Sequence, residues 1–323
     1  MIRKSKLGSF YFEAFCPQET KKYFVPRLGE TRVGDFDLCK SDARFVIIGI
    51  EESVGPVANQ GFSGAEKAFD SFLRVFINSQ VYPDFKIDAI SICGSIKRSS
   101  NQSLLETPSN LVTELDEYVV QVLTECISKN QIPVVIGGGH NNAFPLIKWC
   151  SNQDLINVIN LDPHADCRNT ENRHSGNSFS WALEQNLLSD YAVLGLHEAF
   201  NNSFIRQFLK NNNLKHTFYE DYLLGNRNLV TDALEIVKSW NDLQKRIAFE
   251  IDMDCIANMP SSAASPSGWT IDQVRSYLMQ VASKAQNVAY LHLPEAAPLN
   301  EYEAKMVGKA LTYLVRDFVQ NLN

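Results

Sequence analysis

The chain has 323 residues, 45% hydrophobic and 21% charged, with a net charge of −7, which suits one large α/β domain or two small ones and a core that needs no disulfide support. The acidic balance excludes a charge-driven nucleic-acid binder and disfavours an anionic membrane surface, and no apolar stretch is long enough to span a bilayer. The first forty residues read as an irregular N-terminal extension. Beyond them, apolar and β-branched runs predict strands at 44–50, 87–93, 132–137, 156–162, 191–197, 215–219, 246–252 and 288–293. Helical periods fall at 65–78, 110–129, 143–150, 179–187, 202–210, 229–240, 271–285 and 301–321. Strand–helix alternation of this kind predicts an α/β fold with a parallel sheet, helices on both faces and right-handed crossovers. No repeat, low-complexity tract or Pro/Gly linker divides the chain, so residues 1–323 read as a single domain.

The seven cysteines are odd in number, and none has Cys-x-x-Cys spacing. This fits a reducing cytoplasm rather than a disulfide framework. The basic N-terminus meets Glu13 before any apolar run develops, so no signal peptide is read.

Three segments carry chemistry, and each ends a predicted strand. His140 closes Ile-Gly-Gly-Gly-His; Asp162, His164 and Asp166 lie in Asp-Pro-His-Ala-Asp; Asp252 and Asp254 lie in Asp-Met-Asp. Ligands of open parallel sheets sit outside the carboxyl ends of strands, so the three segments are expected to converge. Asp252 and Asp254, two apart, share one face of a strand with Cα atoms about 6.6 Å apart, a separation that lets them serve two metals spaced about 3.5–4 Å. Fully extended, Asp162 and Asp166 would lie roughly 13 Å apart, so the chain must turn at Pro163. An oxygen-rich set with two imidazoles and no paired thiolates favours manganese or magnesium over structural zinc. Taken singly, Asp-x-Asp can be a turn or cap and a histidine after three glycines can be a loop residue. Taken together at three strand ends, they read as a two-metal site.

These segments, with Ser175-Gly176-Asn177, Pro266-Ser267-Gly268-Trp269-Thr270 and Glu295-Ala296-Ala297-Pro298, resemble the ureohydrolase family of arginases, agmatinases and formimidoylglutamases, in family order and over most of the chain. The resemblance implies an arginase-like three-layer α/β/α sandwich on an eight-stranded parallel sheet, and two Mn2+ ions. It places one ion on His140, Asp162, Asp166 and Asp252 and the other on Asp162, His164, Asp252 and Asp254, with Asp162 and Asp252 bridging. Metal-bridging hydroxide would attack an amidine or guanidine carbon, with Asp166 shuttling the proton and Glu295 pairing with the cationic end of the substrate. A strand-end carboxylate in solvent is the bland alternative for Glu295.

Within the family, the chain departs from arginases. Phe179 stands where their proton-transfer histidine follows Ser-Gly-Asn, and Gly139 stands where they carry the aspartate of Gly-Gly-Asp-His. Arg168 follows Asp166 by two, where arginases have asparagine. An arginine fork suits a carboxylate; an ion pair with a metal-binding carboxylate is the competing reading of Arg168. Arg173 is a weaker alternative, Asn177 is placed with Arg168 and Glu295 among the substrate-binding residues, and Asn141 replaces the acidic or serine residue usual beside the histidine. Cys167 and His197 read as packing residues. The segment 55–65 looks like the Gly-rich N-terminal loop of formimidoylglutamases. The resemblance therefore points to hydrolysis of N-formimino-L-glutamate to L-glutamate and formamide, as in histidine degradation. Its rivals are a urea-releasing guanidino hydrolase and a non-catalytic binding protein of the same fold, with a one-zinc deacetylase weaker still. The expected partner is a small molecule, with neither nucleic acid nor membrane; family members also form homo-oligomers.

Overall fold

The computed structural model describes residues 4–99 and 107–323. Ten strands form one sheet: β1 (Lys4–Leu7), β2 (Phe10–Ala14), β3 (Phe45–Glu51), β4 (Ile90–Arg98), β5 (Ile132–Ile136), β6 (Ile156–Leu161), β7 (Leu188–Leu196), β8 (Lys215–Phe218), β9 (Arg246–Ile251) and β10 (Val288–Leu293). Their order is β1-β2-β4-β3-β5-β10-β9-β6-β7-β8. The run from β4 to β8 is parallel throughout, which matches the expected parallel sheet. The strand count is corrected from eight to ten, because β1 and β2 form a hairpin that pairs antiparallel with β4. The expectation of an irregular N-terminal extension is corrected with it: Phe10 and Phe12 are buried in the core, so this short alternating run caps the sheet edge.

The helices are α1 (Pro17–Tyr23), α2 (Val54–Ala58), α3 (Ala68–Phe76), α4 (Pro108–Cys126), α5 (Ala143–Ser151), α6 (Ser178–Glu184), α7 (Ser203–Asn211), α8 (Tyr219–Leu223), α9 (Leu229–Asp242), α10 (Ile271–Ala282) and α11 (Glu301–Asn321). Strand alternation divides the apolar side chains between two cores. Ile47, Val134, Ile159, Phe249 and Leu291 pack with α3, α9, α10 and α11. Ile48, Val135, Val158, Ala248 and Tyr290 pack with α4, α5, α6 and α7. Because both faces are covered, the central strands are almost continuously apolar, and the three layers are α/β/α.

Four neighbours at the centre of the sheet, β5, β10, β9 and β6, position the site. The chain leaves β5, crosses to β6, and only later fills the gap with β9 and β10. The carboxyl ends of these four strands therefore open onto one crevice, where the strand order switches.

Candidate metal centre

The loop after β5 is held by a buried carboxylate. Glu52 Oε1 accepts hydrogen bonds from the Gly139 N–H at 2.9 Å and from the side-chain amides of Asn141 at 3.2 Å and Asn142 at 2.7 Å. Gly138 adopts φ +71°, and a Cβ there would lie 2.9 Å from Glu52 Oε1. Only glycine takes that backbone and that approach without strain. The loop delivers His140 fully buried, its N–H donated to Glu295 Oε1 at 2.7 Å.

Three carboxylates from two other strands meet the same ring. His140 Nδ1 lies 3.1 Å from Asp162 Oδ2, 3.0 Å from Asp166 Oδ2 and 3.0 Å from Asp252 Oδ2. The other oxygens of the two central carboxylates face the adjoining loops: Asp162 Oδ1 accepts the His164 N–H and Asp252 Oδ1 the Asp254 N–H, each at 2.7 Å. His164 Nδ1 stands farther off, 3.6 Å from Asp162 Oδ1 and 3.8 Å from Asp254 Oδ2, and its ring stacks on Phe200 at 5.3 Å. All six residues expected as ligands are thus brought together, four tightly and two in a looser arm.

This cluster fits divalent cations. A ring nitrogen carries at most one proton and cannot satisfy three surrounding carboxylates. Among the described residues, no lysine or arginine forms an ion pair with these aspartates or with Glu295, and Asp254 Oδ1 is buried without a hydrogen-bond partner. Like charges buried at such spacing are compensated by metal or by protons, and an oxygen-rich set with imidazole is what Mn2+ takes.

The titration of the group carries the same message. Burial, reinforced by Asp162 and Asp166, pushes Asp254 up to about 6. Burial, with Asp254 and Asp166 adding to it, pushes Glu295 up to about 8, while burial and the Asp254 and Asp162 charges hold Asp252 well above the carboxylate range. Burial alone would lower His140 and His164, but the adjoining carboxylates more than offset it, holding His140 well above its usual value and His164 at about 10. Raised carboxylates bind more protons in the folded chain than in the unfolded one. The cation-free fold therefore loses stability as pH rises from about 4 through 6 and 8, the values at Asp254 and Glu295. A cation replaces those protons. Saturating Mn2+ is accordingly expected to raise the melting temperature by about 5 °C or more at pH 7.5 and by much less at pH 5; an increment that is flat or larger at the acid end contradicts this linkage.

A cavity of about 250 Å³ opens over the cluster, with His164, Asp166, Asp252, Asp254 and Glu295 facing it and Arg168, Asn59, Ser175 and Ser262 on its walls. Glu295 is 3% exposed, which rules out the solvent-carboxylate reading. Its Oε2 accepts from Ser262 Oγ at 3.1 Å. Asp166 and Glu295 both adopt positive φ, +47° and +69°, a strained choice for non-glycine residues that clusters at functional sites. Arg168 is exposed at the mouth, its side chain lying over Gly176, and its guanidinium has no ion-pair partner among the described residues, contrary to the ion-pair alternative.

The other expectations divide. Asn177 is not brought to the cavity, which corrects its placement among the substrate-binding residues. Its Oδ1 accepts from Arg173 at 2.8 Å and from the His174 N–H at 3.1 Å, and its Nδ2 donates to the carbonyls of Asn169 and Asn172. That uses its full capacity to fold the 168–177 loop. Arg173 is spent as well, bidentate on buried Asp116 and donating to Asn141 O. Phe179 lies beneath the site rather than on the cavity wall, edge-on to His140 at 5.4 Å and stacked on Tyr191 at 4.2 Å. Cys167 packs in the core, and His197 is stacked between Phe200 and Tyr219. Sequence reasoning overlooked Glu250, fully buried and 3.3 Å from His140 Nε2. Its signal in the sequence is a carboxylate inside the apolar run 247–251, two places before Asp252.

An α/β/α sandwich with two imidazoles and four carboxylates at its central strand ends has a counterpart among known proteins. The arginase family model matches residues 43–319, and the chain belongs to the arginase family. Formimidoylglutamase from Macrococcus caseolyticus is 25% identical over 277 residues, covering 83% of each chain, and that from Staphylococcus haemolyticus is 26% identical over 227 residues, 68% of each. Among solved structures, formimidoylglutamase from Bacillus subtilis superposes with a TM-score of 0.76 at 18% identity, covering 92% of this chain and 94% of that one. Trypanosoma cruzi formiminoglutamase with Mn2+ gives 0.71 at 20% identity, covering 90% and 99%, and proclavaminate amidino hydrolase from Streptomyces clavuligerus gives 0.70 at 15%, covering 93% and 99%. These three share the fold. No helix among the described residues is long and apolar enough to cross a membrane.

Proposed function

We propose that residues 1–323 act as one cytoplasmic catalytic unit, a two-manganese hydrolase of linear amidines whose substrate is N-formimino-L-glutamate. The observation that carries this reading is the polarity of the cavity. Its floor is acidic and its mouth holds the guanidinium of Arg168, which has no ion-pair partner among the described residues. Such a cavity suits a molecule with a cationic amidinium at one end and carboxylates at the other. The names of the relatives and the manganese of the Trypanosoma cruzi protein support it.

In this reading His140, Asp162, Asp166 and Asp252 would hold one ion, and Asp162, His164, Asp252 and Asp254 would hold the other. When bound, the pair would supply the Lewis acidity that deprotonates an attacking water near neutral pH. Glu295, fixed through the His140 N–H and Ser262, binds the amidinium and orients its carbon over the floor. Asp166 holds the proton taken from water at its carboxylate and returns it to the departing glutamate nitrogen. Arg168 grips a substrate carboxylate and sets which amidine enters.

The test is product-resolved turnover with Mn2+ on formiminoglutamate, arginine and agmatine. Formamide from the first and little urea from the others is the expected outcome. Urea as the dominant product makes the chain a guanidino hydrolase, and silence toward all three, with manganese bound, makes it a binding protein. Arg168→Ala is expected to raise KM for formiminoglutamate about tenfold to a hundredfold, the worth of a charge-assisted pair, with kcat changing far less. An unchanged KM removes Arg168 from the pocket.

A further inference from the structure

One step below the ligand row, a second row of polar side chains crosses the sheet. Asn160 on β6, Glu250 on β9 and His292 on β10 are register partners in turn, and all three are fully buried. Each sits on the strand that carries a member of the row above: Asn160 two residues before Asp162, Glu250 two before Asp252, His292 three before Glu295. Asn160 Nδ2 donates to Asp162 Oδ2 at 3.0 Å, so one vertical contact between the rows is an ordinary hydrogen bond.

Glu250 is the unusual member. Its Oε1 accepts the Tyr290 hydroxyl at 2.7 Å, its Oε2 lies 2.6 Å from His292 Nδ1, and the same Oε2 approaches His140 Nε2 to 3.3 Å, an ion-pair distance at a ring nitrogen that has no hydrogen-bond partner among the described residues. No lysine or arginine among the described residues pairs with it. A carboxylate buried this deeply costs several kcal/mol unless its partners compensate. The His140 ring stands between Glu250 on one side and Asp162, Asp166 and Asp252 on the other, with the His292 ring inclined to it at 6.0 Å. Imidazoles that bind metals commonly turn their second nitrogen to a carboxylate, which fixes ring orientation and tautomer.

We propose that Glu250, anchored from β10 by Tyr290 and His292, is a positioning residue that holds the His140 ring with Nδ1 aimed at Asp162, Asp166 and Asp252, and so sets the manganese affinity of that half of the centre. The inference rests on the two-metal reading above. Glu250 touches neither the cavity nor the substrate; it acts only through His140.

The experiment is Mn2+ binding to the full chain, by titration calorimetry and manganese electron paramagnetic resonance, with melting of the cation-free protein alongside. Wild type is expected to bind two ions. Glu250→Gln keeps the volume and is expected to weaken the ion whose site His140→Asn empties by about 10–100-fold, with the other ion within about threefold and no fall in the cation-free melting temperature. Tyr290→Phe, a milder change that keeps the ring, shifts the same ion in the same direction by a few-fold. A merely structural role would lower the cation-free melting temperature and weaken both ions alike, and that result overturns the proposal. Both ions binding to Glu250→Gln as in wild type overturns it as well. A wild-type chain that binds fewer than two ions overturns the two-metal reading and this inference with it.

Discussion

Asp252→Asn is expected to bind at most one manganese ion per chain and to lose amidine hydrolysis by more than about a thousandfold, because each ion of a two-metal site supplies part of the same transition-state stabilisation. The reason lies in how the carboxylate is shared. Asp252 turns Oδ2 toward His140 and Oδ1 toward the turn that carries Asp254. An asparagine of the same shape offers one acceptor oxygen and an amino group that cannot ligate a cation, so one half of the centre loses a donor whichever way the amide is turned. The substitution also removes the need to hold a proton on a buried carboxyl crowded by Asp254 and Asp162. The cation-free protein should therefore melt at a higher temperature than wild type while responding less to Mn2+. Two equivalents of tightly bound metal and wild-type turnover in this variant would sink the bridging assignment.

Glu295→Gln carries the second large effect, of a different kind. Glu295 is buried at the cavity floor, held at Oε1 by the His140 N–H and at Oε2 by Ser262, and the proposed substrate presents its amidinium there. A glutamine retains the volume but leaves the buried cation without its counter-charge, which costs about 3–5 kcal/mol, or roughly 10²–10⁴ in kcat/KM. Unlike Asp252→Asn, it should leave two manganese ions bound. Loss of kcat/KM with metal content intact separates substrate binding from ligation; a variant that loses metal in parallel places Glu295 among the ligands instead.

The sequence announced the parallel sheet because fully buried strands are continuous apolar runs between helical periods. The run at 288–293 matches β10, and the helix at 301–321 matches α11. Reading was poorer where local pattern is weak. The strand expected at 87–93 is found at Ile90–Arg98, because Ile87–Ala89 is a 3-10 turn and Gly94 masks the alternation that continues past it. The N-terminal hairpin was missed because two short runs around Gly8 carry little periodic signal. At the site, the metal ligands were legible from spacing at strand ends, since strand geometry fixes where such residues go. Asn177 was misplaced for the converse reason: a motif gives the position of a residue on the loop but not the direction of its side chain, and here the loop's own carbonyls claim the amide. Glu250 was invisible as long as charges were sought only beyond the strand ends.

The sheet order has a consequence for how the protein is made. β5 and β6 are translated early, yet between them the finished sheet holds β9 and β10. Until residue 293 has left the ribosome, both early strands present open edges where their eventual neighbours belong, and long-range parallel pairing of this kind is slow. Two of the aspartates and the glutamate that complete the site, Asp252, Asp254 and Glu295, arrive with those last strands. Metal loading therefore waits for β9 and β10 to emerge and pair, and chains truncated before β9 are left with an unpaired sheet centre, marked for aggregation or proteolysis.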